Sequence, residues 1–181
     1  MPTSIFNLDK SLQVILYVAQ GLLRKDFHKI FKIIYFADRN HLAKYGRSIT
    51  GDMYIKMADG PVPSKIYDIF KAVRGDSFFT EDATRYAQLF DVHDWYFIQP
   101  KQAPDLDFLS ASDIEALDSA IAQYGTLSWD EIRQKSHDIA WSLASDDAPI
   151  SMENMLREAG EKEDYISYLN WITPLQPTVS Q

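Results

Sequence analysis

Residues 26–46 read DFHKIFKIIYFADRNHLAKYG and predict a long helix over 26–44. Asp26 is a suitable N-cap because its carboxylate can accept hydrogen bonds from the first backbone amides, and Gly46 is a suitable stop. With about 100° of rotation per residue, one side of this helix collects an apolar stripe that also contains two polar residues. The stripe consists of Phe27, Ile30, Phe31, Ile34, Asp38, His41 and Tyr45. We therefore expect a buried helix at the centre of the fold.

Asp38 and His41 are the polar members of this stripe. A buried carboxylate without partners is very costly, so Asp38 requires hydrogen bonds. It can bond His41 one helical turn on, or it can tie down the backbone of the loop over 47–52. A polar floor beneath a partner-binding groove is a third interpretation. A metal site or catalytic pair is disfavoured, because the four histidines of the chain do not repeat at ligand spacing.

The opposite face of the same helix is basic. Lys25, Lys29, Lys32 and Arg39 lie along it, with Phe36 among them. Three interpretations of this basic stripe stay open: a solvated face with the aromatic ring covered by another element, a surface for a protein partner, and a surface for nucleic acid.

Periodicity and turn chemistry predict a mainly helical chain with a few strands. Ser110 and Ser128 each precede a helix, and Asp113 and Glu131 stand at the third helical position, which is the pattern of a capping box. Further helices are predicted over 9–23, 62–74, 139–144, 151–159 and 161–171, strands over 52–57, 86–92 and 95–98, and turns at 59–61 and 93–94. The predicted fold class is α+β, mainly helical, with the central buried helix among surrounding helices and a small antiparallel sheet of about three strands.

Composition indicates a soluble globular domain. The 181 residues are 46% hydrophobic and include no cysteine, which excludes a disulfide framework, a thiolate nucleophile and cysteine-ligated metal sites. Residues 1–74 carry 12 Lys and Arg against 6 Asp and Glu, whereas residues 75–181 carry 6 against 20. A uniformly basic nucleic-acid binder is therefore disfavoured, although a basic patch in the first part is not. No apolar run approaches the length of a membrane span, so we expect a cytoplasmic protein.

Established catalytic motifs are not found in the sequence. It contains no P-loop, no GxSxG nucleophile elbow and no HExxH zinc motif. Residues 60–64, GPVPS, are interpreted as a structural turn before a helix, and an anion held by free amides there is the alternative. His137, Asp138 and Trp141 form a polar and aromatic cluster without a positioned nucleophile. We therefore predict no catalytic residue, no metal and no cofactor.

A longer string gives the chain a family resemblance. Residues 32–52, KIIYFADRNHLAKYGRSITGD, with GPVPS following at 60–64, resemble the Panacea-domain (SocA-like) antitoxin family, long catalogued as phage-associated proteins. The resemblance covers about residues 8–145 and is strongest before Gly75. It implies a mostly helical domain with a small sheet that neutralises a protein toxin by direct binding and has no catalytic residue.

The same resemblance guides the domain boundaries and the candidate residues. We expect a Panacea-like domain over 1–145, a helical extension over 146–173 packed on the same domain, and a tail over 174–181. Residues expected to bind the partner or to shape a groove for it are Tyr35, Phe36, Asp38, Arg39, His41, Asp52, Tyr54, Pro61, Pro63, Ser64, His137 and Trp141, with the basic stripe of Lys25, Lys29 and Lys32 beside them.

Four functions are weighed on this basis. The first is an antitoxin of a toxin–antitoxin system whose partner is a cognate protein toxin. The alternatives are an adaptor that delivers that partner to a protease, a DNA-binding regulator of the same operon, and a hydrolase. A homo-oligomer stays open, whereas nucleic acid is disfavoured as a partner and a membrane is not expected.

Overall fold

The computed structural model describes residues 5–77 and 82–172, and the predicted tail over 174–181 lies outside them. The helices of these residues are α1 (Leu8–Gly21), α2 (Phe27–Tyr45), α3 (Ser64–Arg74), α4 (Ala83–Ala87), α5 (Ala111–Tyr124), α6 (Trp129–Ser136), α7 (Ile139–Leu143), α8 (Met152–Glu158) and α9 (Glu163–Ile172), with a 3-10 turn at Leu106–Phe108. The strands are β1 (Tyr54–Met57), β2 (Gly60–Pro63), β3 (Phe90–His93) and β4 (Phe97–Pro100). The fold class is α+β and mainly helical, as predicted. The sheet differs, since the four described strands form two separate antiparallel pairs.

Helix α2 is the central element of the fold. The Asp26 carboxylate accepts a hydrogen bond from the Lys29 amide at 3.0 Å, and Gly46 ends the helix with a left-handed φ of 70°. Helices α1, α5, α6 and α8 and strand β2 all pack against α2. Every residue from 29 to 39 is buried. Burial contributes roughly 1.5–3 kcal/mol for each large apolar side chain, so this helix is a main source of stability. The prediction of a central buried helix is confirmed.

The first hairpin, formed by β1 and β2, contradicts the predicted structure of residues 60–63. Residues 60–63 were assigned to a turn and a helix start, but they form β2, with Met57 paired to Gly60 and Tyr54 paired to Pro63. Helix α3 therefore begins at Ser64 rather than at residue 62. Pro61 and Pro63 favoured a turn and a helix entry, yet proline is accepted in an edge strand where its missing N–H is not needed.

The second hairpin differs in register from its prediction. Its strands pair His93 with Phe97, so the connection is 94–96, and Tyr86 lies in α4 instead of a strand. The connection has positive φ angles of 47° at Asp94 and 66° at Trp95. This hairpin is fastened to the start of α2, because the Phe27 amide donates to the Tyr96 carbonyl at 2.8 Å.

Helix starts and the C-terminal helices complete the fold. Both predicted capping boxes are present, with Ser110 and Asp113 at α5 and Ser128 and Glu131 at α6. Helix α8 packs against α2, α7 and α9.

The division of the chain at residue 145 stays a prediction. Among the described helices, none is both long and apolar enough to cross a membrane.

Candidate partner-binding groove

Asp38 is the centre of a buried hydrogen-bond network. One carboxylate oxygen accepts from the backbone amides of Ile49 and Thr50 at 2.6 and 3.2 Å. The other oxygen accepts from the hydroxyls of Thr50 and Tyr54 at 2.6 and 2.7 Å. Burial raises the pKa of Asp38, and these four hydrogen bonds oppose that rise. Of the predicted roles, tying down the loop after α2 is therefore confirmed.

His41 has partners of its own and does not bond Asp38. Its Nδ1 lies 2.8 Å from the Arg47 carbonyl, and its Nε2 lies 3.0 Å from the Ser112 hydroxyl. A ring nitrogen beside a carbonyl must donate, so in the neutral ring Nε2 accepts from the serine. Burial lowers the pKa of His41, which favours this neutral form. The imidazole therefore joins the loop after α2 to the start of α5.

Asp52 caps α3 and occupies the amides that an anion would need. Its carboxylate accepts from the amides of Lys65 and Ile66 at 3.0 and 2.9 Å, while the Ser64 amide donates to the Met53 carbonyl. Burial raises the pKa of Asp52 to about 6. The alternative of an anion held at the start of α3 is therefore not supported by the geometry.

Arg39 and Tyr35 meet the segment before α7. Both donate to the same carboxylate oxygen of Asp138, at 2.9 Å from the guanidinium and 2.8 Å from the phenol. The Trp141 indole donates to the Met57 carbonyl at 3.0 Å, and the His137 ring stacks on that indole with 3.8 Å between centroids. These contacts fasten α2 and the first hairpin to α7.

The basic stripe is not an exposed surface, so all three interpretations were wrong in placing its charges at the surface, whereas the covering of Phe36 by another element is confirmed. Lys29 donates to the carbonyls of Gly125 and Leu127, and Lys32 donates to the Pro61 carbonyl at 2.9 Å. Phe36, predicted to lie among them, stacks on Tyr124 at 4.0 Å. Lys25 is half-buried and donates to the Leu22 carbonyl. Other elements cover this face, and long lysine stems let each ammonium reach carbonyl groups at its edges.

An open groove lies beside the N-terminal half of α2. Its volume is about 430 Å³, and α2, α3 and the tips of both hairpins contribute to its walls. The aromatic part of the lining consists of Phe27, Phe31, Tyr67 and Tyr96. A concave apolar surface with a few polar groups is the usual form of a binding site.

The basic side chains that line this groove already have hydrogen-bond partners inside the protein. The Arg74 guanidinium binds both carboxylate oxygens of Asp76 and donates to the Trp95 carbonyl at 2.9 Å. The Lys32 side chain is only 1% exposed, and burial lowers its pKa to about 7. Burial and the nearby Lys32 lower the pKa of His28 to about 4, and its Nε2 lies 3.1 Å from the Asp59 carbonyl.

Comparison with known proteins identifies the family. The model of the family described as "Antitoxin SocA-like, Panacea domain" matches residues 30–142, which is more than half of the chain. The chain belongs to this family. No curated protein and no solved structure gives a significant match. The matched residues run from the first turn of α2 to the last turn of α7, so the Panacea domain contains the Asp38 network and most of the groove, and α8 and α9 follow it.

Sequence reasoning located the buried networks of this Panacea domain but missed the groove. Of the candidate residues, Lys32 alone lines it, and most of the others are inside the fold, where they can shape a groove without touching a partner. Aromatic side chains from three separate segments form the lining, namely α2, α3 and the tip of the second hairpin. The adjacent pair Trp95 and Tyr96, at the start of a predicted strand and directly after a predicted turn, was the one local signal for the groove.

Proposed function

We propose that this protein is an antitoxin that neutralises a cognate protein toxin by direct binding and catalyses no reaction. Membership of the SocA-like Panacea family carries this proposal. The hydrogen bonding of the candidate acids supports it, because Asp38, Asp52 and Asp138 are all occupied in joining elements of the fold. The open groove beside α2 supports the proposal as well, since its concave apolar form suits a partner.

The alternatives of protease adaptor and DNA-binding regulator receive different support. An adaptor would need the same partner-binding surface, so the antitoxin and adaptor hypotheses differ only in whether the partner is blocked or degraded. A DNA-binding role was based on the basic stripe, and burial of Lys29 and Lys32 removes its surface. We place the antitoxin in the cytoplasm, where it would meet its toxin.

Growth rescue tests the proposed neutralisation. We expect co-expression of this protein with the toxin encoded by the neighbouring gene to restore growth, because a bound toxin is blocked without being destroyed. Pulse–chase labelling should show an unchanged toxin lifetime in a protease-deficient host and in its parent. Rescue that requires the protease and shortens the toxin lifetime would favour the adaptor, and arrested growth with both proteins present would contradict both.

A further inference from the structure

We infer that the groove and the tip of the second hairpin form one docking surface for a basic segment of the partner. Such a segment would present an arginine or lysine side chain between apolar neighbours. The identity of the partner rests on the proposed antitoxin function, whereas the chemistry of the docking surface rests on the contacts below.

The tip of the second hairpin offers two exposed aromatic side chains. Trp95 is 63% exposed and Tyr96 is 62% exposed, and Tyr96 also lines the groove. The left-handed backbone at Asp94 and Trp95 is uncommon for residues other than glycine and is stabilised by neighbours. The Arg74 guanidinium donates to the Trp95 carbonyl, and the Phe27 amide donates to the Tyr96 carbonyl. The rings are therefore presented on a fixed backbone, which lowers the entropy lost on binding.

Residue types at this surface are those that dominate binding energies. Tryptophan and tyrosine are enriched among interface residues whose truncation weakens binding most. Here the Arg74 guanidinium lies 5.5 Å from the Trp95 ring centroid and 5.4 Å from that of Phe27. Exposed aromatic rings next to an apolar groove are favourable neighbours for a partner side chain that carries both an apolar stem and a charge.

Three exposed carboxylates lie around this surface. The side chains of Asp94 and Asp59 are 83% and 58% exposed, and Asp147 is exposed as well. Of the nearby cations, Lys32 is buried, and the Arg74 side chain is 12% exposed and paired with Asp76. The Arg133 side chain is 38% exposed and is paired with Asp59, so Asp94 and Asp147 are the carboxylates on which the inference depends. An incoming group thus meets carboxylates and ring faces, which together attract a cation.

The rest of the chain strengthens the preference for a basic partner. Asp147 belongs to an acidic stretch over 146–164, with seven Asp and Glu against two Lys and Arg, and the whole chain carries a net charge of −8. A field of this sign accelerates the approach of a basic protein and opposes that of a nucleic acid, whose phosphates would face the same carboxylates.

Two matched peptides test the chemistry of the docking surface without the toxin. We expect acetyl-Leu-Arg-Leu-amide, at about 10 mM, to shift the NMR signals of the Trp95 indole and the Tyr96 amide. Acetyl-Leu-Glu-Leu-amide should leave them unchanged. Equal shifts with both peptides, no shift with either, or displacement of the basic peptide by a single-stranded oligonucleotide would overturn the inference.

Charge-removing variants locate the interaction. The double variant Asp94→Asn/Asp147→Asn keeps the shape of each side chain, and asparagine also tolerates a positive φ. We expect it to weaken binding of the basic peptide about threefold to tenfold. The control Asp107→Asn/Asp164→Asn removes two charges from the 3-10 turn and α9 and should have no effect. An equal loss in both double variants would contradict a local site.

Binding of the toxin by variants distinguishes a failure of the docking surface from a failure of the proposed function. Tyr96→Ala should weaken binding of the toxin from the neighbouring gene at least tenfold, whereas Trp171→Ala, on α9, should not change it. If the wild-type protein binds and neutralises the toxin and Tyr96→Ala binds it equally well, the docking surface alone would be overturned. A wild-type protein that does not bind the toxin would overturn the proposed function. The peptide experiment would still test the chemistry of the docking surface, because it does not use the toxin.

Discussion

Asp38→Ala is expected to lower the free energy of unfolding by about 3–5 kcal/mol, a large part of the roughly 5–15 kcal/mol that is typical of a folded domain. The substitution removes the acceptor of four buried hydrogen bonds and leaves two backbone amides and two hydroxyls without partners. Each buried unsatisfied donor costs about 1–3 kcal/mol, partly offset where local relaxation admits water. The loop after α2 and the start of β1 would lose their common anchor.

Urea unfolding followed by circular dichroism checks this expectation. Asp107→Ala is the matched control, because Asp107 is exposed, and its free energy of unfolding should stay within about 0.5 kcal/mol of wild type. Asp38→Asn should lie between the two, since its amide oxygen retains part of the acceptor capacity. Similar stabilities for Asp38→Ala and Asp107→Ala would show that the carboxylate does not anchor this loop.

Lys32→Met is expected to stabilise the protein by about 2–3 kcal/mol at pH 7. Burial lowers the pKa of Lys32 from 10.5 to about 7, so folding either removes its proton or buries its charge. At pH 7 this costs about 4 kcal/mol, at roughly 1.4 kcal/mol for each pKa unit. Methionine is apolar and of similar length and avoids the cost. It also leaves the Pro61 carbonyl without its donor, which offsets about 1–2 kcal/mol.

The pH dependence of the stability gained in Lys32→Met shows whether the buried charge of Lys32 causes it. Because the pKa of Lys32 is lower in the folded than in the unfolded chain, the unfolded chain binds more protons between about pH 7 and 10.5. Wild-type stability therefore rises with pH across this window relative to Lys32→Met. The advantage of the variant should be largest at or below pH 7 and should fade toward pH 10, while Lys162→Met, an exposed control, shows no such trend. A variant advantage independent of pH would contradict this explanation.

Local signals of the sequence predicted the elements well. The Asp26 cap, the Gly46 stop and the capping boxes at Ser110 and Ser128 depend on residues within a few positions of each other, so they can be recognised without tertiary structure. The apolar stripe of α2 likewise predicted burial of Asp38. In each case the decisive contact is made inside or next to a single helix.

Features that depend on packing between distant segments could not be predicted in the same way. A helical wheel placed Lys29 and Lys32 on one face but did not show that α5, α6 and β2 cover it. Pro61 and Pro63 were predicted in a turn and at a helix start, because only the pairing with β1 shows that both are accepted in a strand. The groove was missed for the same reason, since Phe31, Tyr67 and Tyr96 come together only after α2, α3 and the second hairpin pack.

Helix α2 links the stability of the fold to its proposed role. Its C-terminal half carries Asp38 and holds the following loop, and its N-terminal half supplies Phe27 and Phe31 to the groove. A rigid central helix thus positions one wall of the docking surface. We therefore expect loss of the Asp38 network to weaken partner binding indirectly, through unfolding, whereas changes at Tyr96 weaken it directly.

Titration of purified toxin activity with the purified protein, in the absence of any protease, tests neutralisation by direct binding. We expect toxin activity to fall in proportion to the antitoxin added until none remains, and intact toxin to be recovered from the complex. A stable complex in which the toxin keeps its full activity would contradict it.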